Sequence, residues 1–255
     1  MNTDFSARLV RWQKQHGRHG LPWQVREPYA VWLSEIMLQQ TQVSTVLEYY
    51  PRFLAAFPNV AALAAADEDE VLALWAGLGY YSRARNLHAA AKQVVNDFGS
   101  RFPDTRQGLE TLKGVGRSTA AAIAAFAFGR REAILDGNVK RVLCRVFAQD
   151  GAIGDKKFET VLWDLAESLL PAAEDMTPYT QGLMDLGALV CKRSKPRCDA
   201  CPMAEICLAK QQGRIAELPR KKTAVAVKEV ALYWLVLRDK QGRVLLEKRP
   251  SGGLW

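Results

Sequence analysis

Histidine is scarce in this sequence: three in 255 residues, and His16, His19 and His88 show no metal-ligand spacing. No apolar run reaches the roughly 18 residues that a membrane helix needs. The N-terminus opens with Asp4 inside an amphipathic stretch rather than a basic region leading into an apolar one. Membrane and secreted classes are therefore set aside, and an intracellular, cytoplasmic protein is expected. Cysteines are few and odd in number, five in all, which opposes a disulfide framework. Alternating strand patterns are missing before residue 223. Excess charge is missing from most of the chain too. The net charge is +8, but residues 213–255 hold +6 of it, leaving +2 for residues 1–212. Any nucleic-acid surface must then be a local patch.

What remains is helix. Apolar residues recur at three- and four-residue spacing over 3–16, 29–40, 43–57, 69–76, 83–98, 117–128, 138–148, 156–170 and 178–190. Gly20-Leu21-Pro22, Phe57-Pro58-Asn59, Phe102-Pro103-Asp104 and Pro171 punctuate them. Leu218-Pro219-Arg220-Lys221-Lys222 reads as part of a basic linker. Past it, residues 230–237 and 244–247 flank Asp239-Lys240-Gln241-Gly242, a hairpin signal. Two strands cannot bury a core, so this stretch reads as a short β stub that opens a second, incomplete domain.

Four of the five cysteines, Cys191, Cys198, Cys201 and Cys207, are spaced C-x6-C-x2-C-x5-C. So compact a window can wrap four thiolates around one centre. A [4Fe–4S] cluster suits it; zinc is the alternative, although zinc ribbons pair two C-x2-C knuckles and only one occurs here. Lys192, Arg193, Lys195 and Arg197 crowd the first loop, where they compensate the negative thiolates and can meet phosphates. Cys144, inside an apolar helix, is read as core.

Leu112-Lys113-Gly114-Val115-Gly116 precedes an Ala-rich helix starting at Arg117. Two glycines around one apolar residue permit a tight turn, leaving helix-start amides outward as an anion site that a DNA phosphate fits. Alone, such a stretch is more often a mere turn. Twenty residues past Gly116, Asp136 follows Ile134 and Leu135. It is placed either to cap the next helix or to stand at a cleft mouth and stabilise a cationic sugar.

With hairpin, aspartate and four-cysteine loop in that order, residues 5–212 resemble the endonuclease III-like superfamily of DNA glycosylases. The resemblance implies a mainly α, two-lobed helix-hairpin-helix fold. One lobe would span 29–135, the other 1–28 with 136–212, followed by a linker over 213–228 and the stub over 229–255. Val31 to Thr41 is similar to the signature of the adenine (MutY-type) branch. There the residue at Glu35 protonates the departing base, and those at Gln40 and Thr41 press into the DNA stack. An acid ringed by Trp32, Ile36, Met37 and Leu38 would have a raised pKa, as a general acid requires; an arbitrary helical Glu would instead face solvent. Gln39 shares the face of Glu35. Leu21 and Trp23 match the segment lining the base pocket, and Tyr80, in Gly77-Leu78-Gly79-Tyr80-Tyr81, matches a residue wedged beside 8-oxoguanine.

The relatives that also cut the strand carry a lysine where this chain has Ser118, and a hydroxyl cannot form a Schiff base. Lys140 lies beyond Asp136 and does not replace that lysine. The resemblance therefore implies a monomeric, monofunctional base-excision enzyme carrying a [4Fe–4S] cluster. Its substrate would be double-stranded DNA with adenine opposite 8-oxoguanine or G. Glu35 would be the acid, Asp136 the stabiliser of the oxocarbenium-like sugar, and Asn138 the residue orienting it. Leu112, Gly114, Val115, Gly116, Arg117, Ser118 and Lys140 join Gln39, Gln40, Thr41 and Tyr80 as expected DNA contacts. A bifunctional pyrimidine-lesion glycosylase and a non-catalytic iron–sulfur DNA-binding protein are the rival readings. In the MutY-type branch the C-terminal stub would continue into a Nudix-like domain.

Overall fold

The computed structural model describes residues 2–220, 229–231, 233 and 235–247. Among them are helices α1 (Asn2–His16), α2 (Pro28–Leu38), α3 (Val43–Ala56), α4 (Val60–Ala65), α5 (Glu68–Trp75), α6 (Tyr81–Phe98), α7 (Arg106–Glu110), α8 (Arg117–Phe128), α9 (Gly137–Val146), α10 (Lys156–Ser168), α11 (Met176–Asp185) and α12 (Leu208–Gln211). No sheet forms among the described residues, and no helix among them is long and apolar enough to cross a membrane.

Local chemistry explains where the helices start. Glu27 caps α2 by accepting from the Tyr29 and Ala30 amides at 3.1 and 2.6 Å, with Pro28 next in line at the helix start. Asn59 caps α4 through the Ala62 amide, and Thr105 caps α7 through Gly108. Periodicity does not mark α4, α7 or α12, because one or two turns hold too few apolar positions to show a period. Two boundaries also differ from expectation. The α2 helix stops at Leu38 rather than residue 40, and α11 gives way to wide i→i+5 turns over Leu186–Val190.

Two apolar cores lie on either side of α8. Trp32, Leu33, Phe53, Trp75 and Leu87 belong to the first; Phe5, Leu9, Leu143, Tyr179 and Leu186 belong to the second. The small side chains of α8 serve both: Ala120, Ile123 and Ala124 face one core, and Ala121, Ala122 and Ala125 face the other. Alanine lets neighbouring backbones approach closely without leaving voids. The wall between the cores is thus thin, and α2 packs against it on one side and α11 on the other. That proximity brings Glu35, on α2, toward Asp136, at the start of α9.

The chain from Gly213 to Arg220, expected in the linker, is docked instead. Leu218 is buried in the second core, its carbonyl accepts from Arg145 Nε at 2.9 Å, and Arg214 and Arg220 both pair with Asp150. The remainder of the expected linker, 221–228, lies outside the described residues. The separate unit Thr223–Trp255 shows the expected turn: Arg238 bridges Val244 in antiparallel fashion, and the Asp239 amide donates to the Arg243 carbonyl at 3.0 Å.

Candidate active site

A cleft of about 1450 Å³ is lined by Leu21, Trp23, Glu35, Gln39, Ser118 and Asp136, among others. It is larger than a pocket for one small ligand, with room for a nucleobase and the sugar carrying it. Glu35 reaches it from α2, whose other residues are almost all buried: Val31, Trp32, Leu33, Ile36 and Met37 leave it little polar company. Burial first, and the nearby Asp136 carboxylate second, push the Glu35 carboxyl up to about 8. No described residue donates a hydrogen bond that would stabilise its anion. A carboxylic acid at neutral pH, half-buried but open to the cleft, is a proton donor.

Asp136 both caps α9 and lines the cleft. Its Oδ1 caps α9 by accepting from the Val139 amide at 2.8 Å, and its Oδ2 accepts from Asn138 Nδ2 at 3.5 Å. Held this way, the carboxylate lines the cleft with Asn138 beside it. Asn138 is itself oriented by Arg141, whose Nη2 donates to Asn138 Oδ1 at 2.7 Å while its Nε donates to the Cys191 carbonyl at 2.7 Å. Arg141 is a further residue of the site, not among those expected from the sequence. Its position three residues after Asn138, on one helix face, was the available signal. Close packing completes the arrangement, since a Cβ on Gly187 would lie 2.6 Å from that of Asn138.

Gln39, Gln40, Thr41, Ser118 and the pair Leu21 and Trp23 also line the cleft. Trp23 is seated by an edge-on contact with Tyr50. The Ser118 hydroxyl accepts from the Leu135 amide at 2.9 Å, fixing the chain just ahead of Asp136. The remaining expected DNA contacts lie outside the cleft lining. Tyr80 is exposed on its own turn. Leu112 and Val115 bury their side chains in the first core, because the hairpin needs apolar anchors, so they can offer only backbone to a ligand. Gly114, at φ 78°, turns where a Cβ would strike Asn86, and Gly116 supplies no side chain to cap α8. The first amides of α8 are left for an anion. Arg117 turns away toward α10, stacked 3.8 Å over Trp163 and paired with Glu167 at 2.5 Å; Lys140 is paired with Glu159 at 2.5 Å.

Cys191, Cys198, Cys201 and Cys207 line one small apolar cavity in the second lobe. Among the described residues no three Cys, His, Asp or Glu close on a point as ligands of a single ion do. The four thiols instead ring a space, each able to take a different corner of a cluster. Arg145 supplies the matching charge. It is buried, donates to Cys191 Sγ at 3.5 Å and to the Lys192 and Arg193 carbonyls, and has no carboxylate partner among the described residues. A buried cation beside four thiolates is compensated by them. Burial pushes Cys201 up to about 11 and raises Cys207 as well, so ligation must displace protons from these two sulfurs.

Residues 33–168 match the HhH-GPD superfamily of base excision DNA repair proteins, and residues 191–207 match the iron–sulfur binding domain of endonuclease III. The adenine DNA glycosylase of Buchnera aphidicola subsp. Baizongia pistaciae (strain Bp) is 39% identical over 252 residues, covering 98% of this chain and 71% of that protein. The chain belongs to the adenine DNA glycosylases of the HhH-GPD superfamily. The human adenine DNA glycosylase is 44% identical over 220 residues, 82% of this chain and 40% of its own length. A thermostable thymine-DNA glycosylase superposes with TM-score 0.73 at 30% identity over 82% of this chain and 95% of that one. Endonuclease III in a non-covalent DNA complex, 21% identical with TM-score 0.68, shares the fold over 84% of this chain and 99% of that one. As a member of this family the chain is a DNA glycosylase of base excision repair, acts on DNA, and carries a [4Fe–4S] cluster.

Proposed function

We propose that the chain hydrolyses the N-glycosidic bond of adenine mispaired with 8-oxoguanine or G in duplex DNA, acting inside the cell as a monomer. The observation that carries the reading is Glu35, held protonated in the cleft wall with Asp136 as its carboxylate neighbour. Glu35 protonates a ring nitrogen of the extruded base, which weakens the glycosidic bond. Asp136, oriented by Asn138, stabilises the cationic sugar until water completes hydrolysis, a division of labour between two carboxylates. Leu21 and Trp23 form the wall against the base. The hairpin amides at Gly114 and Gly116, with the start of α8, hold a phosphate. The cluster supplies a rigid support for the lobe that bears Asp136, since base hydrolysis transfers no electrons. Lobes over 29–135 and over 1–28 with 136–212 embrace the bent duplex.

The test uses duplexes with A opposite 8-oxoguanine, A opposite G, and T opposite G. The expected result is strand breaks from the first two, appearing only after alkali. The T arm matters because a structural relative is named for thymine, and release of T in place of A would overturn the reading. Breaks without alkali would favour a bifunctional enzyme.

Ser118→Lys gives a second check. An amine there is expected to yield a borohydride-trappable adduct, since it supplies the missing nucleophile. Excision should fall at the same time, because the Leu135 amide loses its partner, a loss of about 1–3 kcal/mol for a buried donor. No adduct at all would mean that position 118 does not face the sugar.

A further inference from the structure

Two turns at the rim of the first lobe carry non-glycine residues in the left-handed region: Gln40 at φ 57° and Tyr80 at φ 50°. Such backbone is strained and persists only where its surroundings over-determine it. Both side chains are exposed, Tyr80 by 61%. One buried side chain holds both turns. Arg83 Nη1 donates to the carbonyls of Ile36 at 3.2 Å, of Met37 at 2.9 Å and of Gln39, which are end carbonyls of α2 and the residue preceding Gln40. Arg83 Nη2 donates to Thr41 Oγ1 at 3.1 Å on the far side of Gln40, and to the carbonyls of Leu78 at 3.2 Å and Gly79 at 3.3 Å, just ahead of Tyr80. Its guanidinium also faces the rings of Trp75 and Tyr80, each at 5.4 Å.

No carboxylate among the described residues pairs with Arg83, and burial lowers its pKa. A buried cation compensated only by carbonyls and ring faces is a costly way to join two turns. An apolar side chain would fill the space but could not hold two strained backbones in register. Because the donors of a guanidinium form a fixed planar fork, a shift of either turn breaks bonds to the other.

We infer that Arg83 is a positioning residue that fixes Gln40 and Tyr80 as one paired wedge, so that extrusion of the target base depends on a side chain outside both the cleft and the DNA. The inference rests on the reading that this rim meets the duplex. Gln40 lines the cleft beside Glu35, and Tyr80 stands out from the surface, so the pair can enter the stack while the acid waits behind it.

Arg83→Lys keeps a charge but places one donor group where the fork had two. The probe is a duplex carrying 2-aminopurine at the target position, whose emission rises on unstacking. With full iron content and near wild-type melting, the variant is expected to bind duplex within about threefold of wild type. The 2-aminopurine rise and the excision rate should each drop at least tenfold. The pH at which excision declines should not move, since Glu35 is untouched, and amide exchange should quicken at 38–41 and 78–81 together. Wild-type emission and rate, or quickened exchange at only one turn, overturns the inference. Should Arg83→Lys fail to fold, Thr41→Val removes one acceptor of Arg83 together with a 3.4 Å bond to the Gln39 carbonyl inside the same turn, and exchange must still rise at both turns; a rise confined to 38–41 overturns it equally. Gln40→Ala and Tyr80→Ala test the underlying reading separately. Wild-type excision by both would show that the rim does not wedge the DNA, while the exchange data would still judge the coupling.

Discussion

Glu35→Gln is expected to leave duplex binding intact and to reduce single-turnover excision of adenine by about 10²–10⁴-fold, the range general-acid catalysis supplies. The amide is nearly isosteric with the carboxyl, so the wall of α2 stays packed; what it cannot do is deliver a proton. The wild-type rate should be flat at neutral pH and fall as pH rises through about 8, where burial and Asp136 place the carboxyl. The same shift predicts a stability signature. Between the ordinary value of 4.5 and about 8, the folded protein holds a proton that the unfolded chain releases. Stability from this group is therefore complete below 4.5 and is lost as pH rises through about 8. Glu35→Gln lacks that titration, so the gap in melting temperature between the two proteins should change across this window in favour of the variant. Asp136→Asn separates the two carboxylates: it should lose excision too, and relieving the neighbouring charge should shift the surviving pH profile to lower values. A Glu35→Gln enzyme working at the wild-type rate would remove the acid from the mechanism.

Cys207→Ser is expected to abolish the cluster and, with it, the fold of residues 191–220. Four ligated thiolates hold about four irons, and Cys207 is the most buried ligand, set beside Met203 and Ala209 in the second core. Loss of the cluster would also strand Arg145, which spans Cys191 Sγ, the Lys192 and Arg193 carbonyls and the Leu218 carbonyl. An uncompensated buried cation costs about 3–5 kcal/mol, a large part of the stability of an ordinary domain. The purified variant should lack visible absorption, be cut by protease between 191 and 220, and lose excision, because Arg141 ties the Cys191 carbonyl to Asn138. Full iron content and an intact 191–220 segment in the variant would show that the cluster does not depend on Cys207.

Most of the helices were legible in the sequence, since three- and four-residue periodicity reports a buried face directly. Glu35 stood out as the one acid in an apolar helix, and the four cysteines by their spacing. The partners of these residues were not legible. Nothing local to Arg83, Arg141 or Arg145 names their acceptors, and only the folded chain shows Arg83 and Arg145 buried, and Arg141 partly buried, against carbonyls from other segments. For Leu112 and Val115 the fold decides which part can meet a ligand: the hairpin turns their side chains inward and leaves only backbone outward. The pairing of Arg117 with Glu167 and of Lys140 with Glu159 is likewise visible only in the folded chain.

By itself the sequence determined the helical character of the first 212 residues, a cysteine spacing that suits a cluster, the glycine hairpin motif and the two candidate carboxylates. Each of these is local: a periodicity, a spacing, or a residue type against its neighbours. Only the tertiary structure decided that Glu35 and Asp136 share a cleft, and that one arginine joins the turns of Gln40 and Tyr80. Those facts depend on residues far apart in the chain meeting across the thin alanine wall of α8 or around a buried guanidinium. A pKa raised to about 8 arises the same way, because desolvation and a neighbouring charge are properties of packed space and not of sequence order.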